Sequence, residues 1–373
     1  MKKILFVTDT YYPDSSATTT ITRRNAEAFI DIGFKVDVLP LEVSNNHFIY
    51  PPKYKGVNII APHAKTKEDI IQEIKKTLKN SHYDYIFSVA VNFEVSLLTN
   101  KALKNKNYNW FIMSYDPYAY DPHIVVEEKN RRIKEENIAF KDASKIFFLE
   151  EFKQDYIDYP IQDKIIYFNL PCIRMIEYSK NKTIITFDNS FINCTFLGDF
   201  YLGVENTDFI FRLFEKLIAK DKRIRLYTIG SAGDYLETIN LWKEKLGNNY
   251  ICHQRINMEE AHNAMLDTDV LVSMGHDSKN MCPSKCIDFV SSGKPILHIK
   301  KIIDCSASKY LARYSNKCFI YQEEELIDKR VDEIYKFIMD AKNKERVPFK
   351  KIKDLYSDFT MDSLINKQLK VMK

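Results

Sequence analysis

Short apolar runs, each stopping at a polar loop and followed by a helical stripe, recur along this chain, and that alternation restricts the fold more than any other feature. The first cycle occupies residues 2 to 40. KILFV reads as a buried strand and TDTYYPDSSATTT as a polar loop. ITRRNAEAFIDIG reads as a helix whose Ile21, Ala26, Phe29, Ile30 and Ile32 share a stripe ending at Gly33. KVDVL then returns as a second strand. Strand, crossover helix and strand in that order predict a parallel sheet with helices on its faces. The alternation continues through VNIIAP, a helix over Lys67 to Leu78, DYIFSV, a helix near Phe93 to Leu103, and NWFIMSYD.

A second round starts near Phe191. INCTFLG, a helix from Asp208 to Ile218, RIRLYTIG, a helix from Tyr235 to Leu246, NYICHQ, a helix from Met258 to Leu266 and DVLVSM follow in turn, and then PILHI and KCFIY. The expected architecture is therefore α/β, with two Rossmann-like doubly wound parallel-sheet domains at 1–178 and 190–357. The polar stretch Glu177 to Asn189 joins them. A length of 373 residues agrees with two cores. Ligands of such sheets sit beyond the carboxyl ends of the strands, so the cleft between the domains is the expected site.

Charge and cysteine usage exclude several classes. The formal charge is +4, and residues 1 to 180 carry 25 Lys and Arg against 24 Asp and Glu, so neither half is a basic arm for nucleic acid. No apolar run approaches the eighteen or so residues that a membrane span needs, and the apolar run Ile4 to Val7 is too short for a secretory signal. Seven cysteines without regular spacing predict reduced thiols and a cytoplasmic protein. Cys282, Cys286 and His276 fall short of a zinc ligand set, so no metal site is expected.

The stretch SMGHDSKNMCPSKCIDFVSSGKPI, residues 273 to 296, is the strongest candidate for chemistry. An apolar strand ends at Gly275, and Pro283 stands at a first helical position. The backbone N–H groups of Ser284 to Ile287 lack intrahelical acceptors and form a cradle for phosphate, with Lys285 supplying charge and Asp288 one turn further in. Seven of the nine glycines lie in the second half, and Gly198, Gly230 and Gly275 fall at strand ends, where a ligand can approach bare backbone. Ser231 and Arg255 stand in neighbouring loops. In the first half, SYDPYAYDPH places Asp116 after a strand, with Tyr115, Tyr118, Tyr120 and His123 around it.

Four blocks, in order, carry a resemblance. FLGDF, LYTIGSAGDY, HQRINMEEAHNAMLDTDVLVSM and PSKCIDFVSSGKPIL, preceded by KILFVTDTYYP and GFKVDVL, resemble the GT-B glycosyltransferases, most closely glycosyltransferase family 4, over nearly the whole chain. The resemblance implies an N-terminal acceptor domain, a C-terminal domain for a UDP-, GDP- or similar nucleotide sugar, and a last segment, about 358–373, crossing back to the first domain. It also implies metal-independent transfer with retention and no cofactor. The family's pair of glutamates falls on Asn280 and Asp288, the latter expected at the ribose in preference to a salt bridge.

Donor contacts are then expected from Gly198, Gly230, Ser231, Arg255, Cys282, Pro283, Ser284, Lys285 and Asp288, and acceptor contacts from Tyr12, Asp14, Ser15, Ser16 and Tyr118. Lys285, Asn280 and Asp116 are assigned to the chemistry: leaving-group charge, the sugar, and acceptor positioning or proton handling. The chain departs from the family where a cationic pair usually follows the first donor-domain strand; Asp199 and Glu205 have the opposite sign. The Gly-Gly of the acceptor loop is replaced by Asp14, Ser15, Ser16 and Ala17. Lys67, Lys75, Lys76 and Lys79 edge an amphipathic helix that could rest on anionic lipid beside a polyprenyl-linked acceptor. The expected role is sugar transfer to a glycan or lipid-linked acceptor in bacterial surface polysaccharide or glycoconjugate synthesis. Two other readings stand beside it: a catalytically inactive partner subunit of a glycosyltransferase complex, and a nucleotide-sugar epimerase of the same fold.

Overall fold

Apolar runs such as KILFVT and INCTFL become central strands because they are buried on both faces, Ile4 to Val7 at 0% exposure. In the computed structural model the described residues are 1–14, 16–43, 48–62, 66–90, 92–104, 107–121, 124–179, 185–200, 207–275, 284–322 and 324–372. They form two compact units, Met1–Cys172 with Asp358–Lys373, and Ile173–Ser357.

Unit 1 contains β1 (Lys3–Thr8), α1 (Ala17–Asp31), β2 (Lys35–Pro40), β3 (Lys53–Tyr54), β4 (Val57–Ile59), α2 (Lys67–Asn80), β5 (Tyr85–Ala90), α3 (Glu94–Leu103), β6 (Trp110–Ser114), α4 (Val126–Asp142), β7 (Lys145–Leu149) and β8 (Ile165–Phe168). The sheet order is β3-β4-β2-β1-β5-β6-β7-β8, and β3 alone runs antiparallel, a two-residue return against β4. The order reverses between β1 and β5, the position where doubly wound sheets open a crevice. Phe6 stacks on Phe87 at 5.1 Å, with Phe29 of α1 at 6.2 Å from Phe6, so aromatic rings fill the centre. Ile21, Ala26 and Phe29 of the α1 stripe are buried, whereas Ile32 caps the helix and is 48% exposed.

Unit 2 contains β9 (Ile192–Leu197), α5 (Thr207–Lys220), β10 (Ile224–Ile229), α6 (Leu236–Leu246), β11 (Tyr250–His253), α7 (Met258–Asp267), β12 (Val270–Met274), α8 (Ser284–Ser292), β13 (Ile296–Lys300), α9 (Ser306–Ala312), β14 (Lys317–Tyr321), α10 (Asp328–Lys342) and α11 (Phe349–Leu355). Its six strands run β11-β10-β9-β12-β13-β14, all parallel, with the reversal between β9 and β12. Counted within the unit this is 3-2-1-4-5-6, the order of dinucleotide-binding folds. Phe211 of α5 lies 5.7 Å from Trp242 of α6 in the core.

The break between units falls after Cys172, earlier than the polar stretch from Glu177 suggests. The reason is local bonding. The Arg174 amide donates to Ser291 Oγ at 3.4 Å, the Tyr178 hydroxyl to Asp267 at 2.8 Å and the Ser179 amide to Asn263 at 2.8 Å, so 174–179 is tied to unit 2. The last helix, α12 (Met361–Val371), belongs to unit 1: Lys367 Nζ donates to the Tyr167 carbonyl at 2.7 Å, and the Tyr85 hydroxyl donates to the Met372 carbonyl. No described helix is long and apolar enough to cross a membrane.

Candidate functional site

In unit 2 three neighbouring strands end in glycine, and each glycine extends its ladder by one residue. The Gly198 amide donates to Ile229 O at 3.0 Å, that of Gly230 to His253 O at 3.1 Å and that of Gly275 to Ile299 O at 2.7 Å. The backbones then run closer than side chains allow. A Cβ on Gly230 would stand 1.9 Å from the Gly198 carbonyl oxygen, and one on Gly198 would stand 3.2 Å from Lys285 Nζ. The second distance locates the ammonium: Lys285, second residue of α8, reaches back over the end of β9 at the point where the sheet order reverses. Sequence and structure thus bring Gly198, Gly230, Ser284 and Lys285 together at one strand-end crevice. Asn280, Cys282 and Pro283, and with them His276, lie outside the described residues. Cys286 is buried in α8, and burial pushes its thiol well above the usual range.

Asp199 follows Gly198 and holds the crevice's anionic charge. Its carboxylate accepts the Ser231 amide at 2.7 Å and Arg255 Nη2 at 2.5 Å. Partial burial pushes this carboxyl up, but the Ser231 amide, Arg255 and the more distant Lys285 outweigh it and hold the group below the usual carboxylate range. Arg255, expected beside a base, is therefore paired inside the chain, and the Ser231 hydroxyl accepts the Gly233 amide at 3.2 Å. Asp288, expected at the ribose in preference to a salt bridge, does make a salt bridge: Arg174 Nη2 lies 3.4 Å from its Oδ1 and 2.8 Å from His262 Nε2. The sequence pattern does not mark Arg174, which lies ahead of the polar stretch from Glu177.

In unit 1 the loop after β1 is closed on itself by oxygen. Asp14 accepts hydroxyl bonds from Thr10 and Thr19, both at 2.7 Å, and from Ser16 at 2.8 Å, plus the Ser16 amide at 3.1 Å. Burial opposes ionisation here, yet these donors together draw the Asp14 carboxyl below its usual range. Ser16 also caps α1 through the Thr19 amide. Tyr12 stacks on Tyr54 at 3.9 Å, with the Arg23 guanidinium 5.6 Å from the Tyr54 ring. Ser15 lies outside the described residues.

The loop after β6 is clamped by α4. Tyr118 donates its hydroxyl to Glu135 at 2.6 Å, stacks on Phe93 at 4.7 Å and offers its carbonyl to Arg132 at 2.9 Å. Glu136, wholly buried, accepts the Ala119 amide at 3.2 Å and the hydroxyls of Tyr156 and Tyr159 at 2.7 and 2.5 Å. Burial pushes the Glu136 carboxyl up to about 7 against those donors. Asp116 is exposed within this clamped loop; desolvation by the protein around it, and secondarily Asp121, raise its carboxyl. His123 lies outside the described residues. A cavity of about 530 Å³ in unit 2 opens elsewhere, between Met175–Tyr178 and Arg346–Phe349 at the far end of α8 from Ser284.

Two tandem doubly wound units, with the last helix returned to the first, define the GT-B fold of glycosyltransferases. No protein-family model matches the sequence, and no curated protein matches it in sequence. Solved structures do match. Sucrose-phosphate synthase from Thermosynechococcus elongatus superposes with a TM-score of 0.68 at 10% identity, covering 99% of this chain and 98% of that one. A glycosyltransferase from Rickettsia africae ESF-5 gives 0.67 at 13%, covering 100% and 98%. Anabaena HepE, solved in complex with UDP and glucose, gives 0.66 at 12%, covering 99% and 100%. At these identities the likeness establishes the fold.

Proposed function

We propose that this protein is a glycosyltransferase that moves a sugar from a nucleoside diphosphate to a glycan or lipid-linked acceptor, with retention and without a metal ion, in bacterial surface polysaccharide or glycoconjugate synthesis. The observation that carries the reading is the Lys285 ammonium held over Gly198 at the unit 2 switch point, beside the start of α8. Breaking the bond between the anomeric carbon and phosphate leaves negative charge on the diphosphate. The Lys285 ammonium and the first-turn amides of α8, which have no intrahelical acceptor, meet that charge without reorganising. The sugar passes through a cation-like state, as in glycosidases. A new bond forms to an acceptor oxygen, and Asp116 positions that oxygen or takes its proton. Asp288 accepts ribose hydroxyls, Arg174 orienting its carboxylate. Asn280 is assigned to the sugar, and Tyr12, Asp14, Ser15, Ser16 and Tyr118 to the acceptor. The basic edge of α2 offers the lipid-facing surface, although Lys67 pairs with Glu94 and Lys76 with Glu73.

The test is release of nucleoside diphosphate from a panel of nucleotide sugars, alongside calorimetric binding. Lys285→Ala is expected to weaken diphosphate binding about 10- to 100-fold, the loss of one charge-assisted contact. Asp288→Asn is expected to weaken nucleotide binding more than it slows turnover. Binding without turnover across many acceptors would make the chain a binding subunit, and unchanged affinity in Lys285→Ala would remove the site assignment.

A further inference from the structure

The crevice at the end of β9 already contains an anion. Asp199 offers two acceptor oxygens, as a phosphate does, and they take up an amide N–H from Ser231 and the guanidinium of Arg255, within the field of Lys285. Those are the groups that a diphosphate entering over Gly198 would use. The Arg255 side chain is 72% exposed, and an ion pair of that kind contributes little net stability, so the contact is readily exchanged. Asp199 itself stands two residues past the end of β9, next to Gly198.

We infer that Asp199 is a built-in competitor for the donor's diphosphate: in the free protein its carboxylate occupies the cationic crevice, and a nucleoside diphosphate must displace it to engage Arg255, the Ser231 amide and Lys285. The inference rests on the nucleotide-sugar reading above. It predicts an unusual sign, because removing a polar side chain from the binding site improves binding. It also assigns Arg255 two alternating partners, Asp199 when the crevice is empty and phosphate when it is filled.

The experiment is calorimetric titration of the full chain with UDP, GDP and ADP. Asp199→Asn keeps an oxygen for the Ser231 amide and removes the charge, and is expected to bind the preferred diphosphate about 10-fold more tightly than wild type, a change of about 1.4 kcal/mol. Asp199→Ser serves as a second variant should the first fold poorly, with the same direction expected. Arg255→Ala in the Asp199→Asn background is expected to lose the gain. Wild-type binding with unchanged or weaker binding in both folded Asp199 variants overturns this inference alone. Absence of binding in wild type and variants alike overturns the nucleotide-sugar reading as well.

Discussion

At the end of β9 the chain places Gly198, Gly230, Lys285 and Arg255 around one carboxylate, whereas at the end of β1 it places Thr10, Asp14, Ser16 and Thr19 in a closed set of hydroxyl bonds, with Tyr12 stacked on Tyr54. Both loops sit where the sheet order reverses, so topology alone does not distinguish them. Chemistry does. The unit 2 crevice has lost its Cβ atoms and gained cations, which suits an anionic, backbone-bound ligand. The unit 1 crevice has kept side chains, with aromatic faces and hydroxyl or carboxylate oxygens, which suits a neutral polyhydroxyl ligand such as a sugar. Under the proposed function, unit 2 is the phosphate-holding half and unit 1 the hydroxyl-holding half.

The sharpest way to break this comparison is at Gly230. A methyl group there would overlap the Gly198 carbonyl at 1.9 Å and the Asp199 amide at 3.1 Å, and both are backbone atoms that a rotamer change cannot move. Gly230→Ala is expected to destabilise unit 2 by about 3 kcal/mol or more, at the upper end of overpacking effects, and to abolish nucleotide binding. Hydrogen exchange should show loss of protection in β9 and β10 while β1 and β5 keep theirs. Normal protection in β9 and β10 would mean that the close approach is not a requirement of this fold.

Acidity separates the units in a second way. Glu136 in unit 1 holds its proton up to about pH 7, against an ordinary value of 4.5, so between those values the folded chain binds more protons than the unfolded one. Unit 1 therefore loses stability as pH rises through that window, by up to about 3 kcal/mol. His298 in unit 2, wholly buried between Ser273 at 3.1 Å and the Cys305 sulfur at 3.3 Å, is pushed by burial down to about 3 from 6.5. The unfolded chain takes up that proton first, so unit 2 loses stability as pH falls below 6.5. Exchange measured by peptide at pH 5 and pH 8, corrected for intrinsic rates, should show opposite responses in the two units. Glu136→Gln should flatten the unit 1 response only; equal flattening of both units would sink the assignment.

The sequence makes the strands of unit 2 legible because they are continuous apolar runs, and its candidate site legible because glycine, proline and lysine mark a strand-to-helix junction. Other parts are silent for physical reasons. The helix α4 buries only Glu136, Ala139 and Phe140, so VEEKNRRIKEENIAFKD shows almost no apolar stripe, and the strands β7 and β8 that follow it have no recognisable partner helix before them. A buried glutamate within a charged helix resembles a solvated one until Tyr156 and Tyr159, about twenty residues away, are seen to converge on it. Asp199 reads in sequence as a charge of the wrong sign. Only the pairing with Arg255 shows that the sign is compensated from another loop.

The smallest expected effect tests the hydroxyl-holding side. Asp14→Ala removes the common acceptor of Thr10, Thr19 and Ser16, but Thr10 and Thr19 remain 2.8 Å apart and Ser16 can still accept the Thr19 amide, so most donors keep a partner. The loss is then that of roughly one net hydrogen bond, about 1 kcal/mol, felt at the N-terminus of α1. Because hydroxyl donors hold the Asp14 carboxyl below its usual range, its contribution is present above the ordinary carboxylate value of 3.8 and fades as pH falls through the lower, folded-state value. Denaturant melts of wild type and Asp14→Ala at pH 7 should differ by that amount, with nucleoside diphosphate affinity unchanged because the altered loop belongs to unit 1. An equal loss of nucleotide affinity would mean that the loop after β1 serves the donor too, and the division of labour between the two strand ends would no longer hold.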